Sequence, residues 1–251
     1  MGKVIVFANQ KGGVGKTTTT ANLGAYLAEA GKRVLLVDFD PQGNLSSSVG
    51  AHVDESSIYD VVTKGVPIRE VIQETTVKNL FVVPSNIDLT GANVELIAEE
   101  KREYFLKNVL NSVREEWDFI LIDCPPSLGV LTVNGLTAAD YVLVPLQCEY
   151  FALEGLTLLL QTIQRVQKGL NPHLAIGGIV FTMYDSRTKL ANEVVQEVTA
   201  YFKDKVFRTI IPRNIRLSEA PSHGVPINQY NASCSGAMSY KELAEEVIAR
   251  V

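Results

Sequence analysis

Short uninterrupted apolar runs recur along the chain, at Val4-Ile5-Val6-Phe7, Val34-Leu35-Leu36-Val37, Phe119-Ile120-Leu121-Ile122, Tyr141-Val142-Leu143-Val144 and Ile176 to Phe181. Such runs, apolar at every position instead of alternate ones, suit strands covered on both faces. Between them the apolar residues return at helical spacing. From Thr17 to Ala30 they fall at Leu23, Tyr26 and Leu27, and Gly31 is placed to end the helix. Further helices are predicted at about 58–64, 88–98, 102–115, 130–138, 153–169, 188–202 and 237–250, with boundaries good to about two to four residues. The alternation predicts an α/β fold, a doubly wound, mostly parallel sheet with helices on both faces and ligands at the carboxyl ends of its strands. The longest irregular stretch runs from Asn44 to Ser57 and contains Leu45-Ser46-Ser47-Ser48. A fixed loop and a mobile segment beside a ligand both fit it.

Composition narrows this picture. With 251 residues, 46% of them hydrophobic, the chain can bury one substantial core, so residues 1–251 are expected to form a single domain. Cys124, Cys148 and Cys234 are an odd number without C-x-x-C spacing, which argues against disulfides and a zinc site and for small buried apolar roles. No basic-then-apolar leader precedes the first run and no run reaches membrane-spanning length, so a cytoplasmic protein is expected. The net charge of −5 argues against constitutive nucleic-acid binding. Its distribution is uneven, however. Between Phe181 and Leu217, Arg187, Lys189, Lys203, Lys205, Arg208, Arg213 and Arg216 stand against Asp185, Glu193, Glu197 and Asp204, a balance of +3 that leaves −8 for the remainder. A solvated mixed-charge face and a DNA surface both fit that count.

The first apolar run leads directly into Gln10-Lys11-Gly12-Gly13-Val14-Gly15-Lys16-Thr17-Thr18. This reads as strand, phosphate loop and helix. Glycines let the backbone turn tightly and bring its N–H groups to an anion, and the helix beginning near Lys16 adds the positive end of its dipole. Lys16 would reach the β- and γ-phosphates and the Thr17 hydroxyl would ligate Mg²⁺. The usual G-x-x-x-x-G-K-[ST] pattern fails at its first glycine, which is Gln10, and Lys11 stands beside it. A merely structural glycine turn would need neither the lysine nor the paired threonines.

With Lys11 in front, K-G-G-V-G-K-T-T resembles the deviant Walker A box of the ParA/MinD class of P-loop ATPases. Val37-Asp38-Phe39-Asp40-Pro41-Gln42-Gly43-Asn44 is similar to that class's A′ motif. Further matches lie at Asp123-Cys124-Pro125-Pro126-Ser127 and from Ile211 to Ser222, so the resemblance, to the ParA/Soj partitioning ATPases in particular, spans essentially the whole chain. It implies that Lys11 is a signature lysine reaching the phosphates of a facing subunit in a nucleotide sandwich homodimer, with Gly12 and Gly13 leaving room for the second backbone. A solvated loop lysine fits the spacing equally well.

Asp38 and Asp40 sit two apart at a strand end, on one side if strand geometry persists past Pro41. Capping is one reading and water-and-Mg²⁺ chemistry the other. The resemblance implies that Asp40 positions the attacking water and Asp38 lies nearer the metal. An aspartate is too weak a base to ionise water alone, so orientation must supply most of the effect. Asp123 has the form of a Walker B aspartate holding Mg²⁺, with a cap for the helix after Ser127 as the competing role. No N-K-x-D occurs, so ATP is expected over GTP. The resemblance further implies that Pro212, Arg213 and Asn214 line an adenine pocket, although a plain surface turn fits the same residues. It also implies that Arg187 and Arg216 contact DNA.

The function expected is therefore an Mg-dependent ATPase switch whose ATP dimer binds double-stranded DNA without sequence preference on the nucleoid. Slow hydrolysis, stimulated by a ParB-like centromere-binding partner, would release it. The alternative is a MinD-like membrane-cycling ATPase. Such proteins end in a basic amphipathic helix, whereas here Leu243, Val247, Ile248 and Val251 are backed by Glu242, Glu245 and Glu246, which anionic lipid would repel.

Overall fold

The computed structural model describes residues 2–149 and 152–251. Its strands are β1 (Lys3–Phe7), β2 (Val34–Asp38), β3 (Gln73–Glu74), β4 (Leu80–Val83), β5 (Phe119–Asp123), β6 (Tyr141–Gln147), β7 (Ala175–Tyr184) and β8 (Val206–Pro212). They form one eight-stranded sheet in the order β3-β4-β2-β5-β1-β6-β7-β8. All neighbours pair in parallel except β3 with β4. The helices are α1 (Lys16–Glu29), α2 (Asn44–Ser48), α3 (Ile58–Lys64), α4 (Ile68–Val71), α5 (Leu89–Glu95), α6 (Phe105–Asn111), α7 (Val130–Ala138), α8 (Ala152–Gly169), α9 (Lys189–Phe202), α10 (Ile215–Glu219), α11 (Ile227–Tyr230) and α12 (Ser235–Arg250).

Strand parity explains the continuous apolar runs. Val4 and Val6 of β1, Leu35 and Val37 of β2, and Ile120 and Ile122 of β5 face one core, filled by α3 to α9. Their alternates Ile5, Phe7, Val34, Leu36 and Leu121 face the other, filled chiefly by α1 and α12. Both sheet faces are therefore dry, and truncating a fully buried leucine such as Leu27 or Leu159 should cost about 2–5 kcal/mol. α7 approaches the sheet so closely that a Cβ on Gly135 would stand 2.7 Å from the Cys124 sulfur. This contact fixes the segment just after Asp123.

Local chemistry sets the ends of elements. Ser57 and Asp60 form a reciprocal capping box at the start of α3, with Tyr59 N–H donating to Ser57 Oγ at 3.2 Å and Ser57 N–H to Asp60 Oδ2 at 2.9 Å. The single helix expected over 102–115 is instead α6 between two 3₁₀ turns, Arg102–Tyr104 and Arg114–Glu116. Asn134 of α7 takes the place of helical bonds there, accepting from Leu106 N–H and donating to Arg102 O. The irregular stretch expected after Asn44 begins as a helix, with Leu45 wholly buried. Strands β3, β4 and β8 lie outside the runs singled out above. Cys124 and Cys148 are buried as expected, whereas Cys234 is half-buried and its sulfur caps α12, accepting from Ala237 N–H at 3.4 Å.

Candidate nucleotide-binding site

The loop from Gln10 to Gly15 joins the carboxyl end of β1 to α1, at the centre of the sheet. Gly13 and Gly15 have φ of 71° and 84°, a left-handed backbone that a side chain would strain. The loop is tied down from both sides. Asn9 donates to Pro145 O on β6 at 2.8 Å and accepts from Lys11 N–H at 3.1 Å. Thr182 of β7 donates its hydroxyl to Val14 O at 2.7 Å. Neither residue belongs to the motif. The only signal for them in the sequence is a polar side chain within or beside an apolar strand.

Lys16 is 6% exposed and its ammonium donates to Lys11 O at 3.3 Å, lying across the loop it would share with phosphates. Burial pulls this ammonium below the usual lysine range, against the opposing pull of Asp123 and Asp40. Thr17 donates to Asp123 Oδ2 at 2.6 Å. Thr18 O accepts from the Asn22 amide at 2.7 Å, and Asn22 Oδ1 in turn accepts from Ile227 N–H. The first turn of α1 is thereby locked to α11.

Asp123 sits wholly buried at the end of β5, and its Oδ1 has no hydrogen-bond partner. Burial first, then Asp38, push its carboxyl well above the usual range, with Thr17 and Lys16 opposing. Asp38 ends the neighbouring strand opposite it. Burial pushes Asp38 up to about 6 against the bonds it accepts. Asp38 and Asp123 thus meet in a dry place, and burial drives both carboxyl groups toward neutrality. An orphaned carboxylate oxygen beside a threonine hydroxyl is what Mg²⁺ would use. Among the described residues no group of three or more His, Cys, Asp or Glu side chains is arranged to hold a metal.

Asp38 has partners other than those expected. Its Oδ2 accepts from Ser46 N–H at 2.8 Å and Ser46 Oγ at 2.7 Å, and its Oδ1 from Asp40 N–H at 3.3 Å. It is therefore the buried anchor of α2, with a single 3.3 Å bond on its Oδ1. Strand geometry does not persist past it: β2 ends at Asp38, and Asp40 lies in a turn closed by Gly43 N–H on Asp40 O. Asp40 is 7% exposed, and its Oδ1 accepts from Gln42 N–H at 3.0 Å.

The remaining predicted residues lie apart from the phosphate loop's interior. Lys11, whose side chain is 37% exposed, pairs with Glu149 at the end of β6. Gly12 faces Pro126, and a Cβ there would come no nearer than 3.7 Å to it. Val14 is buried. Pro212 ends β8, Arg213 N–H donates to Tyr184 O, and Asn214 caps α10 by accepting from Arg216 N–H at 2.9 Å. Arg187 follows β7 and Arg216 follows β8. Because Tyr184 and Pro212 are paired across these strands, both arginines come to the end of the sheet that carries the phosphate loop.

A family model described as an AAA domain matches residues 2–176. The chain is 64% identical over 250 residues to the chromosome-partitioning ATPase Soj of Treponema pallidum, covering 100% of this chain and 98% of that protein. It is 52% identical over 252 residues to the chromosome partitioning protein ParA of Myxococcus xanthus, covering 100% and 89%. Among solved structures, cobyrinic acid a,c-diamide synthase from Mycobacterium smegmatis with bound ADP and magnesium superposes with a TM-score of 0.86 at 42% identity, covering 99% of this chain and 94% of that one.

Proposed function

The chain belongs to the Soj/ParA family of chromosome-partitioning ATPases, and from that premise we propose that it works as an ATP-gated switch on DNA. Mg-ATP joins two subunits face to face, the dimer holds duplex DNA through its phosphates, and hydrolysis stimulated by a ParB-like partner lets it go. The cell compartment that follows is the cytoplasm, with the ATP form on the nucleoid. We take the chain to act as one domain, a reading supported by the single sheet that its strands share.

The chemistry of the ATPase is assigned residue by residue. N–H groups of Gly12 to Thr18 cradle the phosphates at the start of α1. Lys16 sets its ammonium against the polyphosphate from within the loop. Thr17 and Asp123 hold Mg²⁺, which when bound offsets charge on the phosphate oxygens. Asp40 orients the attacking water and Asp38 keeps the Asp40 turn and α2 in place. Pro212, Arg213 and Asn214 border the adenine through main-chain groups.

The observation that supports dimerisation most directly is Lys11. Lys16 already spans the phosphate loop from within, while the Lys11 ammonium leaves the loop for Glu149 at the rim. A second cation at the rim supports a reading in which Lys11 meets a second subunit's phosphates in trans. A membrane-cycling role finds no comparable support, because Leu243 and Val247 of α12 are wholly buried in the core. The test is binding to a duplex of random sequence with Mg-ADP and with a slowly hydrolysed ATP analogue. Tight binding is expected only with the analogue, and equal binding in both states contradicts the proposal.

A further inference from the structure

Arg187 and Arg216 are each paired with a neighbouring acid. The Arg187 guanidinium grips Asp185 as a fork, Nε donating to Oδ1 at 2.9 Å and Nη2 to Oδ2 at 2.6 Å. Arg216 Nη1 donates to Glu219 Oε2 at 2.8 Å. In each pair a second bond that does not involve the guanidinium also holds the acid. Asp185 Oδ1 accepts from Arg187 backbone N–H at 3.1 Å, and the Thr188 hydroxyl donates to Asp185 O at 2.9 Å. Glu219 Oε2 accepts from the Tyr230 hydroxyl at 3.0 Å, and the Tyr230 ring stacks on His223 with centroids 4.9 Å apart. When an arginine swings away, its acid stays where it is.

The arginine side chains are 86% and 49% exposed, so water screens both pairs and neither contributes much to folding. Their consequence is for what replaces the acid. A DNA phosphate that takes the guanidinium leaves a carboxylate beside the DNA backbone, and that carboxylate must draw a cation from solution. The uptake offsets part of the counterion release that drives phosphate binding.

We propose that Asp185 and Glu219 set the affinity of the DNA surface, each acting as an intramolecular counter-anion that a DNA phosphate has to displace from its arginine. This rests on the DNA-binding reading above and names the regulation of that same surface. One subunit, with its arginines answered in place, then holds duplex weakly. A two-fold dimer repeats the exchange on one duplex and gains from the effective concentration of its second pair of arginines.

The experiment compares wild type, Asp185→Asn and Glu219→Gln for binding to a random-sequence duplex over a salt series, all loaded with Mg²⁺ and a slowly hydrolysed ATP analogue. Each acid substitution is repeated in the background of its own arginine, Arg187→Ala or Arg216→Ala, at low salt where the other arginine still supports binding. Both neutral variants should bind about threefold tighter and show a steeper logarithmic salt slope, with ATP binding and dimer size as in wild type. The gain should vanish in the arginine-free backgrounds. Unchanged affinity in both neutral variants overturns the proposal, and so does a gain of equal size without the arginine, which would be general loss of negative charge. Should one variant fold poorly, the other acid carries the same comparison on a different strand end. A wild-type protein that ignores duplex in every nucleotide state overturns the DNA-binding reading itself, and this inference with it.

Discussion

The phosphate loop and the arginine-bearing ends of β7 and β8 lie at the same carboxyl end of the sheet but are built in opposite ways. In the loop region, polar groups are buried and their bonds run to neighbouring strands and helices: Thr182 to Val14 O, Asn9 to Pro145 O, Thr17 to Asp123. At the strand ends, Arg187 and Arg216 stand in water and each is answered by an acid two or three residues away. Buried bonds are costly to break and hold geometry, whereas exposed ion pairs exchange at little cost. Phosphoryl transfer depends on positioning, and holding a DNA backbone without reading its bases needs only reversible charge. On the proposed function, this end of the sheet carries a rigid device for chemistry beside a loose one for binding.

The largest expected effects fall on the rigid device. Lys16→Ala or Thr17→Ala should lower Mg-dependent phosphate release by about 10²–10³-fold, because each deletes a group at the phosphates or the metal. Full activity in folded Lys16→Ala protein would contradict the assignment. Asp40→Ala should lose hydrolysis by a factor on the order of 10², while still binding ATP and remaining a dimer by light scattering. A variant that stays monomeric with ATP, or hydrolyses normally, removes Asp40 from the role given to it.

Effects on the loose device should be smaller and of a different kind. Arg187→Glu and Arg216→Glu should weaken binding to all duplexes about tenfold and flatten the logarithmic salt slope by about 1 per subunit affected. ATP binding and dimer size should stay as in wild type. A salt series that superposes on wild type for both variants would show that this surface does not meet DNA. Smallest of all is the expected effect of Thr182→Val. It strands the Val14 carbonyl and should loosen nucleotide binding by about threefold to tenfold without touching a phosphate. Calorimetry with Mg-ADP checks it, and unchanged affinity would mean that the loop keeps its shape unaided.

What the sequence revealed follows the same division. The phosphate loop could be read because its backbone needs fixed residue types at fixed spacing, glycines where φ is positive and a lysine and threonine where α1 begins. The five longer apolar runs were legible because both faces of the sheet are covered. Asn9 and Thr182 were not, since each acts through a bond to a part of the chain far away in sequence, which leaves no periodic pattern. Helix α2 was hidden for a related reason. Its serines look like loop residues until Ser46 is seen bonding to Asp38 and to Ser85 N–H in the interior. Over 102–115, Leu106, Leu110 and Val113 keep helical spacing and all are buried, yet Asn134 breaks the helix from across the core.

The central claim is that the phosphate loop decides whether two subunits close and that the arginines act only once they have. Gly12→Val tests it most directly. Within one subunit a Cβ at Gly12 meets nothing nearer than 3.7 Å, so nucleotide binding should survive. Size and duplex binding are measured together, in Mg-ADP and in a slowly hydrolysed ATP analogue, for wild type and for the variant. The account predicts an ATP-bound monomer of the variant that holds duplex no better than the ADP form of wild type. A Gly12→Val protein that binds duplex as tightly as ATP-loaded wild type, whether as a monomer or as a dimer formed just as readily, would contradict it.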